Sequence, residues 1–219
     1  GSLREIIDWT PFFQTWELKG RYPAILEHPE MGPHAKELLC DAEAMLDRIE
    51  AESWIVPRVV VGIFPANQVG DSIALYSDES RAEVIATLPT LRQRVPKSGN
   101  QPHLALADFV APKGTPDWMG AFVVTTGHGV AERVAAYQAA GDDYSAILLE
   151  ALADRLAEAS AELAHSRVRT EIWGYAPDEQ HSCSELIAER YTGIRPAPGY
   201  PACPVHADKR LLFELLDAQ

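Results

Sequence analysis

A loop near the end of the chain, "RPAPGYPACPVH" from Arg195 to His206, carries residues suited to a small charged ligand. Its prolines fix the backbone and remove amide donors, so the segment cannot be a helix or a central strand. One interpretation is an extended spacer of the polyproline type. The other is a preordered cradle, in which Gly199 lets the backbone approach a ligand and the planar guanidinium of Arg195 pairs with a carboxylate. The rest of the chain must decide between them.

Two pairs of cysteine and histidine offer zinc ligands. His181 and Cys183 form the first pair, and Cys203 and His206 form the second. Zinc accepts these side chains, but the spacing of the first pair is unusual for a structural site. A zinc hydrolase is therefore kept as an alternative from another functional class, beside the commoner outcome of a hydrogen-bonded histidine and inert thiols.

The segment "TTGHG", Thr125 to Gly129, resembles an anion-binding turn between a strand and a helix. It lacks both the full dinucleotide fingerprint and the lysine of a phosphate-binding loop. We assign it no function.

Acidic residues recur every four positions at Glu150, Asp154, Glu158 and Glu162. This period places them on one stripe of a helix, nearly opposite a leucine face. Such a stripe is usually a solvated surface. Alternatively, part of it faces a cleft for a cationic ligand.

Hydrophobic periodicity predicts the elements that position these residues. Helices are expected over His34–Glu52, over Asp142–Arg167 with Asp142 or Asp143 as the cap, over Ser184–Tyr191 and at the C-terminal end, with a kinked helix over residues 80–95. Strands are expected as a pair within Pro57–Asp78 and in "HLALADFVAP", "GAFVVTTG" and "TEIWGY". Because these elements do not alternate regularly, we predict an α+β fold with a mainly antiparallel sheet flanked by helices.

Composition limits the classes of function. The 219 residues include 32 acidic and 19 basic side chains, a formal charge of -13, which argues against binding to nucleic acid or to an anionic membrane. Three scattered cysteines indicate a reducing cytoplasm rather than a disulfide framework. Gly1 and Ser2 are interpreted as a cloning scar.

Six motifs in order carry a resemblance to a known family: "IDWTPFF", "GIFPANQVGDSIALY", "LADFVAP", "ALADRLAEASAE", "WGYAPDE" and "GIRPAPGYPACPVH". From about Ile6 to its last residue the chain resembles the C-terminal activation domain of cobalamin-dependent methionine synthase. The resemblance implies one activation domain over residues 1–219, and it implies that the proline-rich loop cradles S-adenosylmethionine.

The resemblance also implies a role for each ligand-binding residue. Arg195 would pair with the carboxylate of the ligand and Asp8 with its amino group. The backbone around Ala197 and Gly199, with the Tyr200 ring, would flank the adenosyl part, and Glu158 and Glu189 would lie near the sulfonium. One arginine and several carboxylates complement a ligand with one carboxylate and two cationic centres.

In this family the domain presents S-adenosylmethionine to oxidised cobalamin, which receives an electron from a flavodoxin-like or diflavin reductase. The expected partners are therefore the cobalamin domain of the same polypeptide and the reductase, and no catalytic residue or metal ligand is expected in this chain. The alternative is a cap or reductase-docking module with a vestigial pocket, but the opposed pair of Asp8 and Arg195 favours ligand binding.

The chain departs from the family in two respects. It contains no D-x-H-x-x-G motif, so cobalamin, and any zinc, are assigned to other domains. The family also continues beyond "LLFELLDAQ", so the chain is expected to be a fragment that is inactive alone.

Overall fold

The computed structural model of the chain describes residues 2–97 and 99–218. Gly1 of the predicted cloning scar and Gln219 of the predicted terminal helix lie outside the described residues, as does Ser98. The chain divides into two compact units, which we call the helical unit (residues 1–59 and 124–192) and the sheet unit (residues 60–123 and 193–219). A single activation domain over the whole chain stays a prediction. In the part described, none of the helices is long and apolar enough to cross a membrane.

The helical unit is built around two long helices. Its elements are α1 (Ser2–Glu5), α2 (Trp9–Thr15), a 3-10 turn (Ala24–Glu27), α3 (Gly32–Glu52), α4 (Val130–Ala139), α5 (Asp143–Arg167), a π-helical turn (Val168–Ile172) and α6 (Cys183–Ile187). The predictions for α3 and α5 are confirmed. Apolar side chains at helical spacing on these helices meet the aromatic residues of α2 in one core, where Phe12, Phe13, Leu149 and Leu152 are fully buried.

The sheet unit carries a four-stranded sheet in the order β3-β2-β1-β4. The strands are β1 (Arg58–Val69), β2 (Ser72–Tyr76), β3 (Val84–Pro89) and β4 (Asp117–Thr125), followed by a 3-10 turn (His206–Asp208) and α7 (Lys209–Leu215). β2 pairs antiparallel with both β1 and β3. Leu211 and Leu215 of α7 pack on the buried residues of the sheet. The α+β class, with its antiparallel sheet and helices, is confirmed.

The helix predicted over residues 80–95 is wrong, because this segment contains β3. Val84, Ile85 and Thr87 are β-branched and favour extended backbone. In the register, Leu88 lies opposite Ile73, and both are buried. Pro89 is tolerated because it ends a strand at the edge of the described sheet.

The strand predicted in "HLALADFVAP" is also wrong, because the segment forms a 3-10 turn at Leu106–Phe109. Side-chain oxygens accept the hydrogen bonds of backbone amides that a neighbouring strand would otherwise have accepted. The Asp108 carboxylate accepts a hydrogen bond from the Ala105 amide at 2.9 Å, and the Thr90 hydroxyl accepts one from the Ala107 amide at 3.1 Å.

The strand predicted in "TEIWGY" is wrong as well. The chain instead continues α5 as the π-helical turn, where the Trp173 amide donates to the Val168 carbonyl at 2.9 Å. Helix α6 is shorter than the predicted Ser184–Tyr191, because Glu189 adopts a left-handed conformation with φ 53° that ends the helix.

Candidate functional site

The proline-rich loop is ordered by its own backbone hydrogen bonds. The Gly199 amide donates to the Cys203 carbonyl at 2.8 Å, and the Cys203 amide donates to the Tyr200 carbonyl at 2.9 Å. The Tyr200 amide donates in turn to the Ala197 carbonyl at 3.2 Å. The buried Cys203 fixes this turn within the sheet unit. The geometry therefore favours a preordered loop over an extended spacer.

Gly199 is required where it stands. Its φ is 107°, and a Cβ atom at this position would lie 2.6 Å from Nδ1 of His206. Any side chain would therefore meet both an unfavourable backbone conformation and the imidazole ring. The His206 ring occupies the side of the loop where residue 199 would carry a side chain.

The remaining side chains of the loop differ in exposure. The Tyr200 residue is 65% exposed, so its ring is open to a flat ligand group. Arg195 is half-buried, and Ala197 is exposed. The loop thus places an aromatic ring and a guanidinium within six residues of one another in the chain.

Asp8 lies at the start of α2 in the helical unit. Its carboxylate caps the helix by accepting a hydrogen bond from the Thr10 amide at 2.9 Å. The Cys183 thiol lies 3.9 Å from the Ile7 carbonyl oxygen. Burial raises the pKa of this thiol, and the negative charges of Asp8 and Glu162 raise it further. Asp8 and Glu162 therefore lie near enough to Cys183 for their charges to affect its thiol.

The other two predicted carboxylates are exposed. Glu158 lies on α5 one helical turn before Glu162, and Glu189 follows α6.

Sequence reasoning missed a buried polar cluster at the end of α5. Arg169 is fully buried and pairs with the Glu179 carboxylate at 2.6 Å. The guanidinium also lies 4.5 Å from the centre of the Tyr191 ring, which packs edge-on against His165. The sequence carried one signal for Arg169. It follows His165 by four residues, a spacing that places both side chains on one face of a helix, and both are buried in the structure.

The described residues contain no group of three or more histidine, cysteine, aspartate or glutamate side chains that could hold a metal ion. His181 lies 3.5 Å from the Glu179 carboxylate, and Cys203 is buried in the turn of the loop. The structure gives the zinc hydrolase alternative no support.

A surface cleft of about 890 Å³ is lined by residue 14 and residues 17–21. It contains none of the predicted ligand residues.

Comparison with known proteins identifies close relatives of this architecture. The model of the family described as "Vitamin B12 dependent methionine synthase, activation domain" matches residues 1–219. A solved structure described as "Crystal Structure of the MetH Reactivation Domain bound to AdoHcy" is 54% identical to the chain, with a TM-score of 0.95. The match covers 98% of this chain and 66% of that one, so the chain spans about two thirds of the length of its solved relative.

Proposed function

The chain belongs to the family of vitamin B12 dependent methionine synthase activation domains, and we propose that it binds S-adenosylmethionine for the methylation of cobalamin. The observation that carries the proposal is the solved relative, which holds S-adenosylhomocysteine and is 54% identical to this chain over the matched region. S-adenosylhomocysteine is what S-adenosylmethionine becomes when its methyl group leaves. The preordered loop of the sheet unit supports the same proposal.

Two charged residues would recognise the amino-acid part of the ligand. Arg195 pairs with the carboxylate, because its planar guanidinium can donate two parallel hydrogen bonds. Asp8 takes the amino group. Its second carboxylate oxygen supports this role, since the helix cap uses only one oxygen.

The loop would hold the adenosyl part. The exposed Tyr200 ring offers an apolar face, and the backbone at Ala197 and Gly199 would flank the adenosyl group, with the His206 ring packed against Gly199. The exposed carboxylates of Glu158 and Glu189 stabilise the sulfonium, because opposite charges attract across a short distance.

The chain would act as one part of a larger cytoplasmic methyltransferase. Cobalamin, bound by another domain of the same polypeptide, supplies the nucleophile that takes the methyl group. A flavodoxin-like or diflavin reductase supplies the electron. The contribution of this chain is placement and electrostatic stabilisation of the methyl donor.

Calorimetric titration of the chain with S-adenosylmethionine and S-adenosylhomocysteine tests the proposal. Arg195→Ala should weaken binding of both ligands by roughly 2 to 5 kcal/mol, and Arg195→Lys should recover only part of the loss. Arg190→Ala, which removes an exposed arginine nearby in the sequence, is the matched control. No binding by the wild-type chain or by a chain extended to the length of the solved relative would reject the proposed function, and unchanged affinity in Arg195→Ala would remove this residue from the site.

A further inference from the structure

The positive charge of the buried Arg169 must be balanced by neighbouring groups. Its side chain is 1% exposed, and Glu179, at 13%, gives it a charged partner 2.6 Å from Nε. A buried guanidinium is costly unless its charge is balanced. The face of the Tyr191 ring adds a cation–π contact. Arg169 therefore holds the Glu179 carboxylate in one place.

The same carboxylate also fixes the backbone at Thr192. Its second oxygen accepts a hydrogen bond from the Thr192 amide at 2.6 Å. The Tyr175 hydroxyl donates to the Thr192 carbonyl at 3.2 Å. Both backbone polar groups of Thr192 are thus held by side chains of the segment that follows α5. We call Arg169, Tyr175 and Glu179 the Thr192 clamp.

Thr192 lies close in the chain to a predicted ligand residue of the same unit. Glu189 precedes it by three residues. Three residues of extended chain span at most roughly 10 Å. Fixing Thr192 therefore limits where Glu189 can be.

We propose that the Thr192 clamp positions Glu189 for the sulfonium of the ligand. Its residues are positioning residues, which act through Thr192 without touching the ligand. The inference rests on the proposed function. It adds the residues that hold this carboxylate, and it predicts that their loss affects only ligands that carry the sulfonium charge.

Tyr175→Phe is the sharpest test, because it removes one hydroxyl from a residue that is 41% exposed and leaves the Arg169–Glu179 pair intact. Tyr144→Phe is the matched control. Tyr144 is 44% exposed and donates its hydroxyl to Asp41 at 2.6 Å, also within the helical unit. The two variants make the same chemical change at different places in one unit.

Each variant is titrated with S-adenosylmethionine and with methylthioadenosine, which keeps the adenosyl group but lacks both the sulfonium charge and the amino-acid part. Tyr175→Phe should weaken binding of S-adenosylmethionine by about threefold to tenfold and leave methylthioadenosine unchanged, since one hydrogen bond is worth about that much. Tyr144→Phe should change neither affinity.

Two results would overturn the positioning role of the Thr192 clamp while leaving the proposed function intact. The first is an unchanged affinity of Tyr175→Phe for S-adenosylmethionine. The second is an equal loss of affinity for both ligands, which would indicate a general effect on folding. If neither the wild-type chain nor its extended form binds either ligand, the proposed function is rejected and this inference falls with it.

Discussion

Gly199 and Gly114 have the same φ of 107° but different surroundings. At Gly114 a Cβ atom would meet nothing within 4 Å, whereas at Gly199 it would meet the His206 ring. Gly114→Ala should therefore cost only the backbone strain, about 1 to 3 kcal/mol of unfolding free energy. Gly199→Ala should cost clearly more, because the collision adds to the strain. Urea unfolding of the two variants measures the difference.

The double variant Gly199→Ala with His206→Ala separates the two costs. Removing the ring should bring the penalty of Gly199→Ala close to that of Gly114→Ala, because only the strain remains. If the two glycine variants are equally destabilised in the presence of His206, the ring does not restrict the loop.

The charge at the sulfonium distinguishes the methyl donor from its product. S-adenosylhomocysteine lacks the sulfonium charge, so Glu158→Gln and Glu189→Gln should weaken binding of S-adenosylmethionine more than binding of S-adenosylhomocysteine. Glu150→Gln, an exposed glutamate two turns earlier on α5, is the control and should affect neither. Equal losses for both ligands in calorimetric titration would reject the sulfonium role of these two carboxylates.

At the scale of the element, α5 begins with two adjacent aspartates that the sequence could not distinguish. The structure selects Asp142 as the cap, because its carboxylate accepts a hydrogen bond from the Ser145 amide at 3.0 Å. This bond lowers the pKa of Asp142. Asp142→Ala should lower the melting temperature by about 2 to 4 °C, since it removes a cap from the longest helix. Asp143→Ala is the control and should lower it less.

Helices could be predicted better than strands for a physical reason. The stripes of α3 and α5 are local patterns of apolar side chains, so the sequence displays them directly. β3 depends on its pairing with β2, and the π-helical turn depends on burying Arg169 against Glu179. These partners lie elsewhere in the chain, and a local pattern does not identify them.

At the scale of the whole molecule, the motifs of the candidate site could be predicted from the sequence, but the contacts that hold its residues in place could not. The loop from Arg195 to Tyr200 could be recognised because its residues are contiguous. The cap at Asp8 and the contact between Gly199 and His206 needed the folded backbone, and so did the Thr192 clamp. Whether Arg195, Asp8 and the two exposed glutamates bind one ligand stays a prediction.

Glu179 and Asp108, one carboxylate in each unit, contribute to the stability of the molecule at acid pH. In the helical unit, burial alone would raise the pKa of Glu179, but hydrogen bonds from Arg169 and Thr192 outweigh it and lower the pKa from 4.5 to about 2. In the sheet unit, hydrogen bonds from Arg92 and from the Ala105 amide lower the pKa of Asp108 from 3.8 to about 2. The unfolded chain therefore binds more protons than the folded chain between these values.

This difference fixes the direction of the pH dependence. Glu179 stabilises the folded chain above pH 4.5 and Asp108 does so above pH 3.8, and each stabilisation is lost as the pH falls toward about 2. Added salt should affect the two stabilisations differently. The Arg92–Asp108 pair is partly exposed, at 36% and 27%, whereas Arg169 is 1% exposed and Glu179 is 13% exposed. Salt at about 1 M screens exposed charges far more than buried ones.

We expect the free energy of unfolding of both units to fall as the pH drops through this range at low salt. At about 1 M salt the fall should persist in the helical unit and shrink in the sheet unit. Hydrogen exchange of amides in each unit measures the two separately. Glu179→Gln should reduce the pH dependence of the helical unit alone, and Asp108→Asn that of the sheet unit alone. An equal effect of salt on both units would show that the Arg169–Glu179 pair is as accessible to solvent as the surface pair.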